Sequence, residues 1–178
     1  MLAAVMPSVD FFVPSAEELC CLIDPPRYAE WTRRAQARGV DMTEALDPER
    51  DIRPLAERLL GWGAKVVLIK CGAPGIYLRT AGAQEMCTLG LDAAAWANTE
   101  RFEPSYLVTE YRSGTGAGDV SLAAFLLAAL EGYSPARSLQ LATAAGACCV
   151  STYDALSGLV PFPELLNRIE AGWPKRKR

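Results

Sequence analysis

A glycine-rich segment that runs into an uninterrupted apolar stretch dominates this sequence. Residues 113–119 are Ser-Gly-Thr-Gly-Ala-Gly-Asp, and residues 120–130 contain neither proline nor a charged side chain. Glycine has no Cβ, so such a segment can turn tightly and approach a ligand closely. The stretch that follows consists largely of helix formers, so the glycine turn is predicted to end as a helix N-terminus. Free backbone amides and the positive end of the helix dipole make such a terminus a site for a phosphate.

Asp119 would lie in the first turn of that helix. A carboxylate beside a bound anion can accept the proton of an attacking hydroxyl, while the amides stabilise the charge of the transferring group. An acidic residue in a first turn is also often only a partner of the helix dipole. The residues alone therefore leave a catalytic and a structural role for Asp119 equally open.

Length and charge restrict the class of protein. The 178 residues predict a single α/β domain over residues 1–178. A net charge of −3 argues against nucleic acid as a partner, and the basic run at 175–178 is interpreted as a solvated tail. No segment approaches the ~18 apolar residues of a membrane span, and the N-terminus lacks the charged region of a signal peptide. We therefore expect a cytoplasmic protein without a membrane partner.

Two absences exclude several chemistries. The sequence has no histidine, which excludes Ser-His-Asp catalysis and His-ligated metal sites, and no lysine stands in a G-K-[ST] motif of the Walker type. Any general base must therefore be a carboxylate, a lysine, a tyrosine or a thiolate. The six cysteines include no C-x-x-C and are interpreted as small buried side chains in a reducing compartment.

Local patterns predict alternating strands and helices, and hence α/β layers. Residues 15–18 have the form of a capping box that opens a helix ending at Ile23. The predicted strands are 9–13, 65–69 and 76–80, the last two as a hairpin or a strand–loop–strand unit, with weaker candidates at 84–91 and 106–109. The other predicted helices are 28–38, 52–62, 117–131, 134–151 and 164–171, with a loop at 39–51.

Three elements in this order resemble the C-terminal half of the PfkB/ribokinase family of sugar kinases: residues 14–18, residues 70–75 and residues 113–119 with their helix. The resemblance extends from about Val9 to Leu166. It implies a Rossmann-like α/β/α sandwich of the ribokinase type, lacking the N-terminal strands and lid. It also implies transfer of the γ-phosphoryl of ATP, as its Mg²⁺ complex, to a hydroxyl of a sugar or nucleoside-like small molecule.

The resemblance assigns roles to individual residues. Asp119 matches the catalytic base, and the amides of Gly116, Ala117 and Gly118 match the anion hole. Glu18 matches an acidic residue that orders Mg²⁺, with its place in the capping box as the structural alternative. The positions that match the family's nucleotide site are Ser15, Lys70, Gly72, Thr115 and Thr143. The alternative for Lys70 and Gly72 is an ordinary strand-ending turn, and for Thr143 a threonine packed in a helix is the favoured interpretation.

The sequence also departs from the family pattern. Ser113-Gly114 stands where the family usually has Asp-Thr, which helps to hold a monovalent cation, so activation by potassium is not predicted. Ser15 replaces an asparagine, which weakens the assignment of Mg²⁺ to Glu18. The sequence starts near the middle of the family's length, whose first half supplies most sugar contacts. We expect a missing N-terminal half or a second copy to cover the exposed sheet.

These features leave three hypotheses. The first is an ATP-dependent carbohydrate kinase, seen as its catalytic C-terminal portion. The second is a non-catalytic nucleotide-binding or interaction module derived from a truncated sugar kinase. The third, a dinucleotide-dependent oxidoreductase, is disfavoured because glycines at 114, 116 and 118 do not fit the G-x-G-x-x-G spacing. The sugar or nucleoside substrate and the oligomeric state do not follow from the sequence.

Overall fold

A four-stranded sheet forms in the computed structural model, which describes residues 1–177. Its spatial order is β1 (Phe11–Phe12), β2 (Val66–Lys70), β3 (Gly75–Thr80) and β4 (Glu100–Pro104). β1 is parallel to β2, and β2 is antiparallel to β3, so the strands predicted at 65–69 and 76–80 form a hairpin. Residues 66–69 are all buried, as expected for a continuously apolar strand covered on both faces.

The chain divides after Phe102 into two compact units, called here the first and the second unit. The prediction of a single domain over residues 1–178 stays a prediction. The helices of the first unit are α1 (Leu2–Val5), α2 (Ala16–Ile23), α3 (Pro25–Arg38), α4 (Arg53–Gly61), α5 (Ala83–Thr88) and α6 (Ala93–Trp96). The segment predicted as a loop at 39–51 contains a 3-10 turn, Thr43–Ala45, and a π-helical turn, Pro48–Ile52. Trp31, Leu59 and Ile69 belong to the core of this unit.

The second unit is built on three helices, α7 (Ala117–Leu130), α8 (Pro135–Cys149) and α9 (Phe162–Glu170). All three were predicted from the sequence and are confirmed. α8 is the central helix, because every residue from 141 to 149 is buried. A Cβ at Gly146 would lie 2.4 Å from the Ser121 hydroxyl, so a glycine there lets α8 approach α7 closely. Within residues 1–177, no helix is both long and apolar enough to cross a bilayer.

Two of the predicted strands are wrong. Residues 84–91 form most of α5 and the turn after it, where Met86 is the buried side chain. Residues 106–109 form no strand, and Tyr106 makes only an isolated bridge with Lys175. The fourth strand is β4 instead, whose polar sequence carries no apolar alternation. Its pairing depends on a distant part of the chain, which local patterns do not report.

The tail predicted to be solvated at 175–178 is also partly wrong. Lys175 Nζ lies 2.7 Å from Glu103 Oε1 and 3.4 Å from the centroid of the Tyr106 ring. The Glu103 side chain is 5% exposed, so this ion pair is largely buried. Residues 176 and 177 are exposed, as predicted, and residue 178 lies outside the described residues.

The cysteines correct the sequence interpretation in part. All six carry free thiols. Four are buried, as predicted, whereas Cys21 and Cys87 are exposed. Cys21 follows the buried Cys20 on an amphipathic helix, α2, so the two side chains of this adjacent pair lie on different faces.

Candidate functional site

The glycine turn of the second unit has the backbone conformation that its sequence predicts. Gly116 caps α7 with a φ of +77°, a left-handed conformation that side chains with a Cβ rarely adopt. A Cβ at this position would lie only 2.2 Å from the Cβ of Ala155. Both the backbone angle and the close neighbour therefore require glycine at 116.

The turn presents unpaired backbone donors. The Ala117 amide donates to the Gly114 carbonyl over 3.2 Å, and the Val120 amide donates to the Gly116 carbonyl over 2.9 Å. Between them, the amides of Gly118 and Asp119 find no backbone or side-chain acceptor within residues 1–177. The same holds for the Gly116 amide in the turn itself. Donors at a helix N-terminus are suited to the oxygens of a phosphate group.

Asp119 is the third residue of α7, and its side chain is exposed. It lies one residue after Gly118, at the open end of the helix. Both roles left open by the sequence, a base beside a bound anion and a partner of the helix dipole, are compatible with this position. The catalytic role of Asp119 therefore stays a prediction.

Thr115 lies within the glycine turn and is exposed. Its amide donates to the Ser113 hydroxyl over 3.1 Å, and its carbonyl accepts a weak bond from the Cys149 thiol at 3.6 Å. The Ser113 amide in turn donates to the Val150 carbonyl at 3.3 Å. These contacts attach the turn to the C-terminal end of α8.

Ser15 and Glu18 form the predicted capping box at the start of α2 in the first unit. The Glu18 amide donates to Ser15 Oγ, and the Ser15 amide donates to Glu18 Oε2, each over 3.2 Å. These bonds, with a smaller contribution from the charge of Lys70, hold the pKa of the exposed Glu18 carboxyl below its usual value. The carboxylate is therefore ionised, and its structural role at the cap is confirmed.

The end of β2 lies beside this capping box. Ser15 and Lys70 form a parallel bridge, and the Lys70 amide donates to the Pro14 carbonyl over 3.0 Å. Gly72 follows in a left-handed conformation, with a φ of +63°, and a Cβ there would lie 2.9 Å from Thr43 Oγ1. The structure therefore brings Ser15, Glu18 and Lys70 together, and Gly72 follows Lys70 two residues later, against Thr43.

Thr143 is buried within α8. Its hydroxyl donates to the Leu139 carbonyl at 3.1 Å and accepts a bond from Lys175 Nζ at 3.4 Å. This arrangement agrees with the favoured interpretation, a threonine packed in a helix.

A cavity of about 380 Å³ in the second unit was not predicted. It holds none of the residues that the sequence singled out. Its walls are Leu107, Val108, Thr109, Ala147, Cys148, Ser151, Ser157, Gly158, Val160, Arg168 and Trp173. Arg168 Nη1 approaches the Cys148 thiol to 3.5 Å, and burial raises the pKa of that thiol. Several separate segments form these walls, so no linear motif could have revealed the cavity.

The arrangement of the described acidic and cysteine side chains does not indicate a metal centre. Over residues 1–177, no three cysteine, aspartate or glutamate side chains converge into a cluster that could hold a metal ion.

Comparison with known proteins identifies the family. The model of the pfkB family of carbohydrate kinases matches residues 1–161. No curated protein matches the chain at a significant level. Among solved structures, an Escherichia coli protein assigned as a ribokinase II, in complex with ATP and Mg²⁺, is 25% identical with a TM-score of 0.63, over 96% of this chain and 42% of its own.

Two further structures are similar. Arabidopsis thaliana ribokinase, complexed with ribose and ATP, is 22% identical with a TM-score of 0.65, over 93% of this chain and 42% of its own. Aminoimidazole riboside kinase from Salmonella enterica is 22% identical with a TM-score of 0.60, over 93% of this chain and 43% of its own. The chain thus has a ribokinase-type α/β fold, as predicted, and spans less than half the length of these structures. It belongs to the pfkB family of carbohydrate kinases.

Proposed function

We propose that this chain supplies the phosphate-binding and catalytic part of an ATP-dependent kinase that phosphorylates a sugar or a nucleoside-like small molecule. The observation that carries the proposal is the glycine turn at the start of α7, with unpaired amides beside Asp119. The family supports the same chemistry. The similar structures named above were solved with ATP or an ATP analogue, and two of them with ribose or a riboside.

Phosphoryl transfer needs mainly positioning and electrostatic stabilisation from the protein. In the proposal, the unpaired amides of Gly116 and Gly118 donate to the terminal phosphate and stabilise the charge that develops during transfer. The Ala117 amide, which donates to the Gly114 carbonyl at 3.2 Å, is proposed to turn to the phosphate when the nucleotide binds. Asp119 accepts the proton of the acceptor hydroxyl. An exposed carboxylate at the open end of the turn is accessible to an acceptor molecule.

Magnesium fits the residues of the first unit as an ion shared with the nucleotide. Mg²⁺ is usually held by one or two carboxylates together with substrate phosphates and waters. Glu18 offers an ionised carboxylate of which only Oε2 is engaged by the Ser15 amide. We propose that Glu18 orders Mg²⁺ and that Ser15, Lys70 and Gly72, in the same unit, contact the nucleotide. Within the second unit, Thr115 of the glycine turn is proposed as a nucleotide contact. Thr143 is not, because its buried hydroxyl is bonded to the Leu139 carbonyl and to Lys175 Nζ.

The acceptor site is proposed to need further polypeptide, because the chain spans less than half the length of the similar structures. β1 has two residues and lies at the edge of the sheet, with Phe11 and Phe12 only half-buried. Edge strands present unpaired backbone groups that invite pairing. A remaining half of the kinase fold or a second copy of this chain would cover that edge.

The six free thiols favour a reducing compartment, so we propose that the protein is located in the cytoplasm.

The alternative is a nucleotide-binding module without catalysis. It is favoured by Ser113-Gly114 in place of the family's usual pair and by the short span of the chain. Such a module would keep the amides of the glycine turn and bind ATP, but it would have no acceptor site.

These functions are separated by incubating the protein with ATP, Mg²⁺ and a panel of sugars and nucleosides. The assay uses this chain and, where the natural polypeptide is longer, that complete polypeptide. The proposed kinase forms ADP at a rate that at least one acceptor raises above the rate with ATP alone. ATP binding, measured by calorimetry, without acceptor-stimulated ADP formation supports the non-catalytic alternative. Absence of ATP binding contradicts both.

A further inference from the structure

The loop that follows α8 is built around one carboxylate. Asp154 Oδ1 accepts the amides of Leu156 and Ser157 over 2.8 and 2.7 Å, and Oδ2 accepts the Ser157 hydroxyl over 2.6 Å. The bonds from Ser157 are the main cause of the lowered pKa of Asp154, so the carboxylate is ionised. Residues 151–158, called here the brace loop, are therefore closed by charge-assisted hydrogen bonds.

The brace loop is seated on the end of α8. A Cβ at Gly158 would lie 2.6 Å from the Cys148 carbonyl oxygen, so the loop returns to the helix in close contact. The Thr152 hydroxyl lies 2.9 Å from the Cys149 carbonyl. Both ends of the loop are thus held. Between them, the Asp154 side-chain bonds are joined by a bond from the Thr152 hydroxyl to the Asp154 carbonyl at 2.9 Å. The Cys149 thiol makes a weak contact with the Ala155 carbonyl at 3.9 Å.

That middle part contacts the glycine turn through Ala155. The Cβ of Ala155 occupies the space where a Cβ of residue 116 would stand, 2.2 Å away, and its Cα is 3.1 Å from the same point. The Gly116 carbonyl accepts the first α-helical bond of α7, from Val120, at 2.9 Å. A displaced Ala155 would allow Gly116 to rotate, and with it the amides that follow.

We propose that Asp154 is a positioning residue for the phosphate-binding amides. Its carboxylate holds Ala155 against Gly116 and so keeps the amides of residues 116–118 oriented for a terminal phosphate. Preorganised donors stabilise developing charge without a cost of reorganisation, which is why their support matters. This inference rests on the proposed function for its ligand, and on hydrogen bonds within the second unit for its structure.

A comparison of nucleotides tests the role. Asp154→Ala in the full chain is expected to weaken ATP binding about 10-fold, while adenosine binding changes less than about twofold, because only the phosphate meets the amides. Asp154→Asn retains an oxygen for the two amides and is expected to recover most of the ATP affinity. Asp92→Ala is the matched control, since Asp92 accepts the Ala94 amide at 3.0 Å in a similar turn of the first unit. An equal loss for ATP and adenosine, or the same loss in Asp92→Ala, overturns the proposal.

If Asp154→Ala does not fold, Ser157→Ala replaces it in the test, because it removes only the hydroxyl bond to Asp154. This variant is expected to weaken ATP binding about threefold. Unchanged ATP binding overturns the proposal.

Hydrogen exchange tests the brace loop without any ligand. The Val120 amide should exchange at least about 10-fold faster in Asp154→Ala, whereas the Tyr133 amide, bonded to the Ala128 carbonyl at 3.0 Å, should not change. Unchanged exchange at Val120 overturns the brace. If exchange is faster in Asp154→Ala but the wild-type protein binds no ATP, the proposed function is contradicted, whereas the structural role of Asp154 in the brace loop is supported.

Discussion

Asp119→Asn is expected to lower phosphoryl transfer by about 100-fold or more while ATP binding is retained. Asparagine has nearly the same size as aspartate but cannot accept the proton of the acceptor hydroxyl. The side chain is exposed in the first turn of α7, so its replacement should leave the fold intact. The measurement is the rate of ADP formation with the best acceptor of the panel, together with the Kd for ATP.

The control for Asp119→Asn is another acidic residue in a first helical turn. Glu164 is exposed in the first turn of α9, so Glu164→Gln removes a carboxylate from a similar position. If Asp119 acts only on the helix dipole, both variants should lose a little stability and neither should lose turnover. Unchanged turnover in Asp119→Asn would contradict its assignment as the base.

Gly116→Ala is expected to abolish ATP binding and to lower the free energy of unfolding by about 3 kcal/mol. The added methyl group must adopt a φ of +77° and would stand 2.2 Å from the Cβ of Ala155. Either Gly116 or the Ala155 backbone must then move, and the amides that follow Gly116 move with it. Urea unfolding and calorimetric titration with ATP measure the two effects.

Gly132→Ala is a closely matched control within the second unit. Gly132 has a φ of +83°, but nothing lies within 4 Å of a Cβ built there. Its substitution carries the backbone strain alone, about 1 kcal/mol, and should not affect ATP binding. If the two variants lose equal stability, the contact between residue 116 and Ala155 has no energetic importance. If Gly116→Ala still binds ATP, the glycine turn does not hold the phosphate.

Local sequence signals predicted the elements that carry the candidate site. The apolar run after the glycines predicted α7. Ser134 and Pro135 predicted the start of α8, and Ser15 and Glu18 predicted the capping box of α2. Each of these signals acts within a few residues, through helix propensity, a cap or a proline at the first position. The structure confirms the three elements, and the Ser15 and Ser134 side chains each accept the predicted cap bond.

Features that depend on distant residues were not predicted. The sequence of β4 is polar, and the segment forms a strand because it pairs with β3 as the last strand of the sheet. The basic tail was interpreted as solvated, but Lys175 finds Glu103, a residue 72 positions earlier. The support of the glycine turn by Ala155 has no sequence signature, because alanine in a loop carries no local preference for such a contact.

The most direct measurement follows the backbone amides of the glycine turn by NMR during titration with ATP and Mg²⁺. If these amides bind the terminal phosphate, the resonances of Gly116, Ala117 and Gly118 shift with ATP and do not shift with adenosine. Saturable ATP binding that leaves all three resonances unchanged would contradict the assignment of the phosphate to the start of α7.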